Sequence, residues 1–323
     1  MRIKCIGFSV LGYGSPSIPV TMNNYFKMMG RSDILVDGIA LGGLSIEPLA
    51  HIIKTLIKKG DADLIILEIT TSAYSKTRKS SYEEVKNYIQ SIVSYITSLE
   101  IKIIFLNLFR LDIDDNDLVV QAINAISSNL FPIIDFKAHY RSKHLLGYFN
   151  GTKDGIHPTI DAIHHISKHV CKLIVQNIEG KDNQALKLEN TEQFNLIPIN
   201  LDAERNFVFN NGVGVKINSR RVFAGENLEV EFLEKTTICG IFFLYGPDTN
   251  QSILTFNDQS VVVSMRDRFS YYRRMGYFPL GPTKVDFVKI EHPKNFIDVN
   301  LAFGSEVQAD QIQNYIIGFS SRS

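Results

Sequence analysis

The sequence predicts an α/β protein in two parts, a three-layer α/β/α domain on a parallel sheet followed by a β-sandwich domain. Three observations carry this. The first half alternates strand-like and helix-like segments, the pattern of a parallel sheet covered on both faces. Around Glu179-Gly180-Lys181-Asp182-Asn183 helical periodicity stops. Beyond that point short apolar runs recur between turn residues, as in a sandwich. A chain of 323 residues is long enough for two domains, placed at residues 1–178 and 179–323.

Taken in order, Arg2–Phe8 reads as the first strand, and a helix follows between Pro19 and Met29, ended by Gly30. Asp33–Val36 is a short second strand. Pro48 suits the first turn of a helix running to about Lys59. Leu64–Ile69 is nearly all apolar, as a central strand buried on both faces requires. In the stretch from Ser81 to Leu99, Val85, Tyr88, Ile89, Ile92, Val93 and Ile96 recur at three- and four-residue steps and mark one buried helix face. Ser81 and Glu84 have the spacing of a capping box. Ile101–Leu106 is a fourth strand, Pro132–Ile134 the centre of a fifth, and a last helix is predicted from Pro158 to about Asn177.

In the second half the strand-like runs are Leu228–Leu233, Ile238–Tyr245, Val261–Ser264, Val285–Ile290, Ile297–Leu301 and Tyr315–Phe319. Asn210-Asn211-Gly212, Gly246-Pro247-Asp248 and Gly281-Pro282 read as the turns between them.

Composition narrows the function. Lys plus Arg and Asp plus Glu each total 34, so the net charge is zero and nothing electrostatic favours nucleic acid or an acidic membrane as partner. No apolar run approaches the roughly 18 residues of a membrane span. The apolar stretch from Cys5 to Leu11 is too short for a signal peptide, so a cytoplasmic location is expected. Cys5, Cys171 and Cys239 show neither a disulfide framework nor metal-ligand spacing and read as buried thiols.

The chemistry gathers at two places. In Asp154-Gly155-Ile156-His157-Pro158 a carboxylate stands three residues before a histidine, close enough on one turn to orient the ring and stabilise its imidazolium. Gly7-Phe8-Ser9 follows the first strand and puts Ser9 at the edge of the sheet where α/β proteins bind ligands.

This set resembles the SGNH (GDSL-like) hydrolases. Gly7-Phe8-Ser9 matches their Gly-Asp-Ser block with Phe8 in place of Asp. Gly42-Gly43-Leu44-Ser45 resembles the block that supplies an oxyanion glycine, Gly43 fitting better. Ser72 stands where the third block has Asn, and Asp154-x-x-His157-Pro158 is complete. The resemblance covers roughly the first half of the chain and implies an SGNH/flavodoxin-like α/β/α fold. It further implies a catalytic triad of Ser9, Asp154 and His157 that works through an acyl-enzyme without cofactor or metal. Ser9 and Gly43 would offer backbone N–H groups to the oxyanion, and the Ser72 hydroxyl or a water would replace the missing Asn. Phe8 either packs beneath the nucleophile turn or lines the acyl pocket.

The reaction so implied is removal of acyl groups, acetyl above all, from an O-acylated carbohydrate. Acetyl transfer to a sugar hydroxyl uses the same intermediate. A non-catalytic glycan-binding protein with a degenerate domain is the reading from another class. Ser270-Tyr271-Tyr272-Arg273-Arg274-Met275-Gly276-Tyr277-Phe278 is rich in aromatics and cations. Tyr271, Tyr272 and Arg273 are therefore substrate-binding candidates, with an interdomain contact or a homo-oligomer interface as the equal alternative. His165 and His169 have the spacing of a metal pair but lack a carboxylate partner, and a helix face explains them and His164 better. The run Asp112, Asp114, Asp115, Asp117 lacks the glycine and glutamate of a calcium loop and reads as acidic residues entering a helix.

Overall fold

The structure, a computed structural model, describes residues 1–71, 81–108, 117–127, 130–136, 157–177, 192–200, 202–211, 214–267, 273–294 and 312–323. The chain divides into two compact units, Met1–Glu192 and Gln193–Ser323. The sequence-based boundary between 178 and 179 lies outside the described residues.

The first unit runs β1 (Arg2–Gly7), α1 (Ser9–Gly12), α2 (Ile18–Met28), β2 (Leu35–Ala40), α3 (Ile46–Leu56) and β3 (Leu64–Leu67). It continues with α4 (Tyr82–Ser98), β4 (Lys102–Asn107), α5 (Leu118–Ser127), β5 (Ile133–Asp135) and α6 (Ile160–Asn177). Its five strands are parallel in the order β2-β1-β3-β4-β5. The chain steps outward from β1 to β2, then returns past β1 and builds the other way. That reversal opens a crevice at the carboxyl ends of β1 and β3, where open α/β sheets bind their ligands.

Both faces of the sheet are buried. Leu64 and Ile66 of β3 join Ile3 and Cys5 of β1 in a cluster with Met22 and Phe26 of α2 and Ala162, Ile163, Ile166 and Val170 of α6. Ile65 and Leu67, equally buried, point to the opposite face because side chains alternate along a strand. The capping box at the start of α4 is present in full, Ser81 accepting from the Glu84 N–H and Glu84 accepting from the Ser81 N–H. Asp117 caps α5, its carboxylate 2.9 Å from the Val119 nitrogen. Asp112, Asp114 and Asp115 lie outside the described residues.

Among the boundaries that differ from the sequence reading, two have a plain local cause. β2 runs on through Gly38 to Ala40, where the reading stopped at Val36. Gly38 serves this strand by leaving room for α2: a Cβ there would stand 2.7 Å from Cγ of Pro19. The helix predicted to reach Lys59 ends at Leu56, because Ile57 turns extended and the Lys58 N–H is taken by the Asp61 carboxylate at 2.9 Å.

The second unit is an antiparallel β domain. Its strands are β6 (Phe194–Pro198), β7 (Asn206–Asn210), β8 (Lys216–Phe223), β9 (Asn227–Tyr245), β10 (Gln251–Phe256), β11 (Gln259–Ser264), β12 (Arg274–Glu291) and β13 (Gln313–Arg322). They form one sheet in the order β11-β10-β12-β9-β13-β8-β7, with β6 also paired to β13. Along one edge β13 changes partner, its first residues pairing with β8 and its later ones with β6. Ile241, Phe243, Leu254, Val285, Val288, Ile316 and Phe319 fill its core.

Here the sequence reading broke two strands that are continuous. Leu228–Leu233 and Ile238–Tyr245 are both parts of β9, and the polar residues between them fall where its pairing with β12 shifts register. Gly281-Pro282 is no turn. It lies inside β12 at a second register shift, with Gly281 at φ +77°. A glycine in the left-handed region and a proline without an N–H suit a bulge as well as a turn. The predicted strand Ile297–Leu301 lies outside the described residues.

All three cysteines are free and buried. Burial pushes the Cys5 and Cys171 thiols up, Cys171 to about 12. No helix among the described residues is long and apolar enough to cross a membrane.

Candidate active site

Ser9 is the first residue of α1, two positions beyond the end of β1, and is half-buried at the crevice. The turn that presents it is tight. Phe8 is extended, its carbonyl accepts the Leu11 N–H at 3.2 Å, and Val10 and Leu11 are buried behind it. Phe8 is itself buried, which fits packing beneath the turn.

The loop after β2 flanks this turn. The Leu41 N–H continues the ladder to the Gly7 carbonyl at 2.9 Å, and the Leu44 N–H closes a turn onto the Leu41 carbonyl at 3.1 Å. Gly43 has φ +83°, a conformation that favours glycine. Gly42 stands next to the serine: a Cβ built on it would be 3.9 Å from Cβ of Ser9. Sequence spacing singled out Gly43 and passed over this contact.

His157 lies just before α6, whose first turn is capped by Thr159, with the Ala162 N–H 3.2 Å from Thr159 Oγ1. The cap places the helix start at Ile160, two residues after the proline from which the helix was predicted. The imidazole stacks on the ring of Tyr13, centroids 4.1 Å apart and planes 19° from parallel. Tyr13 directly follows α1. The next residue, Gly14, has φ +92° and lies so close to α6 that a Cβ would meet Ile163 at 2.6 Å. One contact, the end of α1 against the start of α6, therefore carries the histidine to the segment that holds Ser9. Sequence reasoning missed Tyr13, since a half-exposed tyrosine in a loop carries no pattern. Asp154 and Ser72 lie outside the described residues.

Beneath the serine turn sits a buried carboxylate that sequence reasoning also missed. Glu68, directly after β3, is fully buried. It accepts from the Thr71 N–H at 3.0 Å, the Thr71 hydroxyl at 2.8 Å and the Thr70 hydroxyl at 3.2 Å. The Phe8 backbone N–H is among the groups that pull its pKa down. Burial pushes its pKa up, against the downward pull of those donors. Gly7 is pressed on it, a Cβ there standing 2.7 Å from the Glu68 carbonyl oxygen and 3.0 Å from Oε2.

In the second unit Arg273 is held from several sides. Its Nη2 lies 2.5 Å from the Asp248 carboxylate and 2.8 Å from the Tyr315 hydroxyl, and its guanidinium covers the rings of Phe207 and Tyr315. Asp248 also accepts from Tyr315 at 2.8 Å and Gln313 at 3.0 Å. Arg274 to Phe278 are woven into β12, and Tyr271 and Tyr272 lie outside the described residues. On α6, His164 and His169 make edge contacts with Tyr25 and Phe136. No group of three or more potential metal ligands occurs among the described residues.

No family model and no curated protein sequence matches the chain. Solved structures do. A two-domain esterase (CEX) active on acetylated mannans, crystallised with mannopentaose, is similar over 100% of this chain and 90% of its own, with a TM-score of 0.69 at 11% identity. A second structure of a two-domain esterase (CEX) active on acetylated mannans gives 0.68 at 12% identity, over 100% of this chain and 91% of that one. A lipase/acylhydrolase from Enterococcus faecalis is similar over 54% of this chain and 95% of its own, with a TM-score of 0.45 at 16% identity. By fold, then, the chain is a parallel α/β/α domain followed by a separate antiparallel β domain, similar to that of a two-domain esterase.

Proposed function

We propose that the protein is a serine esterase that removes O-acetyl groups from a carbohydrate, with Ser9 as nucleophile, His157 as general base and Asp154 orienting the imidazole. His157 takes the Ser9 proton as Oγ bonds to the acetyl carbon. The oxyanion collapses, the bond to the sugar oxygen breaks, and the sugar leaves with the proton from His157. Water, deprotonated by His157, then attacks the acyl-enzyme, and acetate departs as Ser9 regains its proton. The oxyanion is assigned to the N–H groups of Ser9 and Gly43 and to the Ser72 hydroxyl.

The observation that carries this reading is the stack of His157 on Tyr13, which sets the imidazole against the residue following the helix that Ser9 begins. The substrate class rests on the likeness to an esterase active on acetylated mannans, whose two-domain fold this chain shares. The test is to treat the full chain with a serine-reactive fluorophosphonate and locate the mass shift, then to measure acetate released from O-acetylated manno-oligosaccharides. Labelling at Ser9, with acetate release lost in Ser9→Ala and in His157→Ala, is the expected result. A Ser9→Ala variant that releases acetate at the parent rate ends the proposal.

A further inference from the structure

The carboxylate of Glu68 has no part in the proton transfers just described, yet it packs against Gly7 at the entry to the nucleophile turn. A buried carboxyl without a task is unfavourable: burial raises its pKa, and an apolar side chain of similar volume would fill the space without that penalty. What Glu68 gains is position. It stands at the carboxyl end of β3, beside the end of β1, at the point of the strand-order reversal.

Its hydrogen bonds and its packing against Gly7 join three strand ends. Its Oε2 lies against Gly7, the last residue of β1 and the entry to the turn that presents Ser9, where a Cβ would stand 3.0 Å from it. The Thr70 and Thr71 donors belong to the loop leaving β3, which leads directly to Ser72 in the sequence. Thr70 Oγ1 in turn accepts the Leu108 N–H at 3.1 Å, at the end of β4. Gly7 completes the arrangement, because any side chain there would strike the Glu68 backbone and part β1 from β3.

Resting on the esterase reading, we infer that Glu68 is a positioning residue for the nucleophile: it fixes the Phe8-Ser9 turn and the loop after β3 in one register. The Thr71 N–H cannot reverse, so Oε1 must accept, while Oε2 takes the Thr71 hydroxyl and packs against Gly7. Glu68→Gln keeps the shape but sets an NH2 group either against the Thr71 N–H or against the Thr71 hydroxyl, which must then turn round. The turn then relaxes, and a displacement of about an ångström at a nucleophile costs on the order of 100-fold in rate.

The experiment compares the parent chain with Glu68→Gln, Thr71→Val and Thr71→Ser, all full length and held well below their unfolding midpoints. The readouts are kcat and KM on a small aryl acetate and the rate of fluorophosphonate labelling of Ser9. Glu68→Gln is expected to lose roughly 10- to 100-fold in kcat and in labelling rate, with KM within about twofold, because a small ester is bound as before and only the attack is misaligned. Thr71→Val should lose about 3- to 10-fold in both rates, the size of one hydrogen bond, and Thr71→Ser, which restores the hydroxyl, should recover the parent rates. An active, labelled parent with an equally active Glu68→Gln variant would overturn this proposal alone. A parent that is neither active nor labelled would overturn the esterase reading with it. Should Glu68→Gln fail to fold, the Thr71 pair decides: equal rates in Thr71→Val and the parent overturn the proposal, and a loss in Thr71→Val that Thr71→Ser recovers upholds it.

Discussion

In the proposed mechanism His157 becomes a cation each time it removes a proton, and the ring it lies against is that of Tyr13. A stacked aromatic face attracts such a cation by about 0.5–1 kcal/mol where it is partly exposed, as Tyr13 is. Tyr13→Leu should therefore lower kcat/KM on an aryl acetate by about 2- to 5-fold, and Tyr13→Phe, which keeps the ring, should stay near the parent. Steady-state kinetics on the three proteins tests this, and a fully active Tyr13→Leu would reduce the stack to packing. Arg273 calls for a different caution. Because it anchors Asp248 and Tyr315, any substitution there disturbs the β domain before it reports on sugar binding.

At the level of elements, one glycine decides how α2 meets the edge of the sheet. Gly38→Ala would drive a methyl group into the rigid ring of Pro19. The helix must shift off β2, at a cost of about 1–3 kcal/mol, read as a lower midpoint in urea unfolding of the full chain. An unchanged midpoint would show that α2 can slide freely. The same residue shows what the sequence makes legible and what it does not. Elements whose apolar residues recur at a fixed period, such as α4 and β3, are plain in it, because burial of one face dictates the pattern. Gly281-Pro282 was read as a turn and the strand before Gly38 was ended at Val36, because the signals for a turn and for a close approach or bulge within a strand are the same residues. The strands β9 and β12 run through polar stretches, since their exposed parts make no demand on composition. At the candidate site, Ser9 and His157 were legible as an ordered pair. Tyr13, Gly42 and Glu68 were not, because each matters through a neighbour distant in sequence.

For the molecule as a whole, the buried His292 of the β domain sets a pH dependence. Its Nδ1 lies 3.2 Å from both the Gln251 carbonyl oxygen and Asn314 Nδ2. Burial lowers its pKa below 6.5, and a hydrogen bond to Gln251 and the charge of Glu226 only partly offset this. The unfolded chain then binds the proton more readily than the folded one, so stability is full above about pH 6.5 and falls as the pH drops towards the lower folded value. Thermal unfolding followed between about pH 7.5 and about pH 5.5 should show this slope, reduced in His292→Gln; an identical slope in the variant would assign it to other groups. The three cysteines have a further consequence. Cys5 on β1 and Cys171 on α6 are sealed in one cluster of the first unit, and Cys239 on β9 in the second. A buried thiol meets an alkylating reagent only when its surroundings open. Each half of the protein thus carries its own clock: Cys5 and Cys171 tick together with the parallel sheet, and Cys239 keeps time for the β domain.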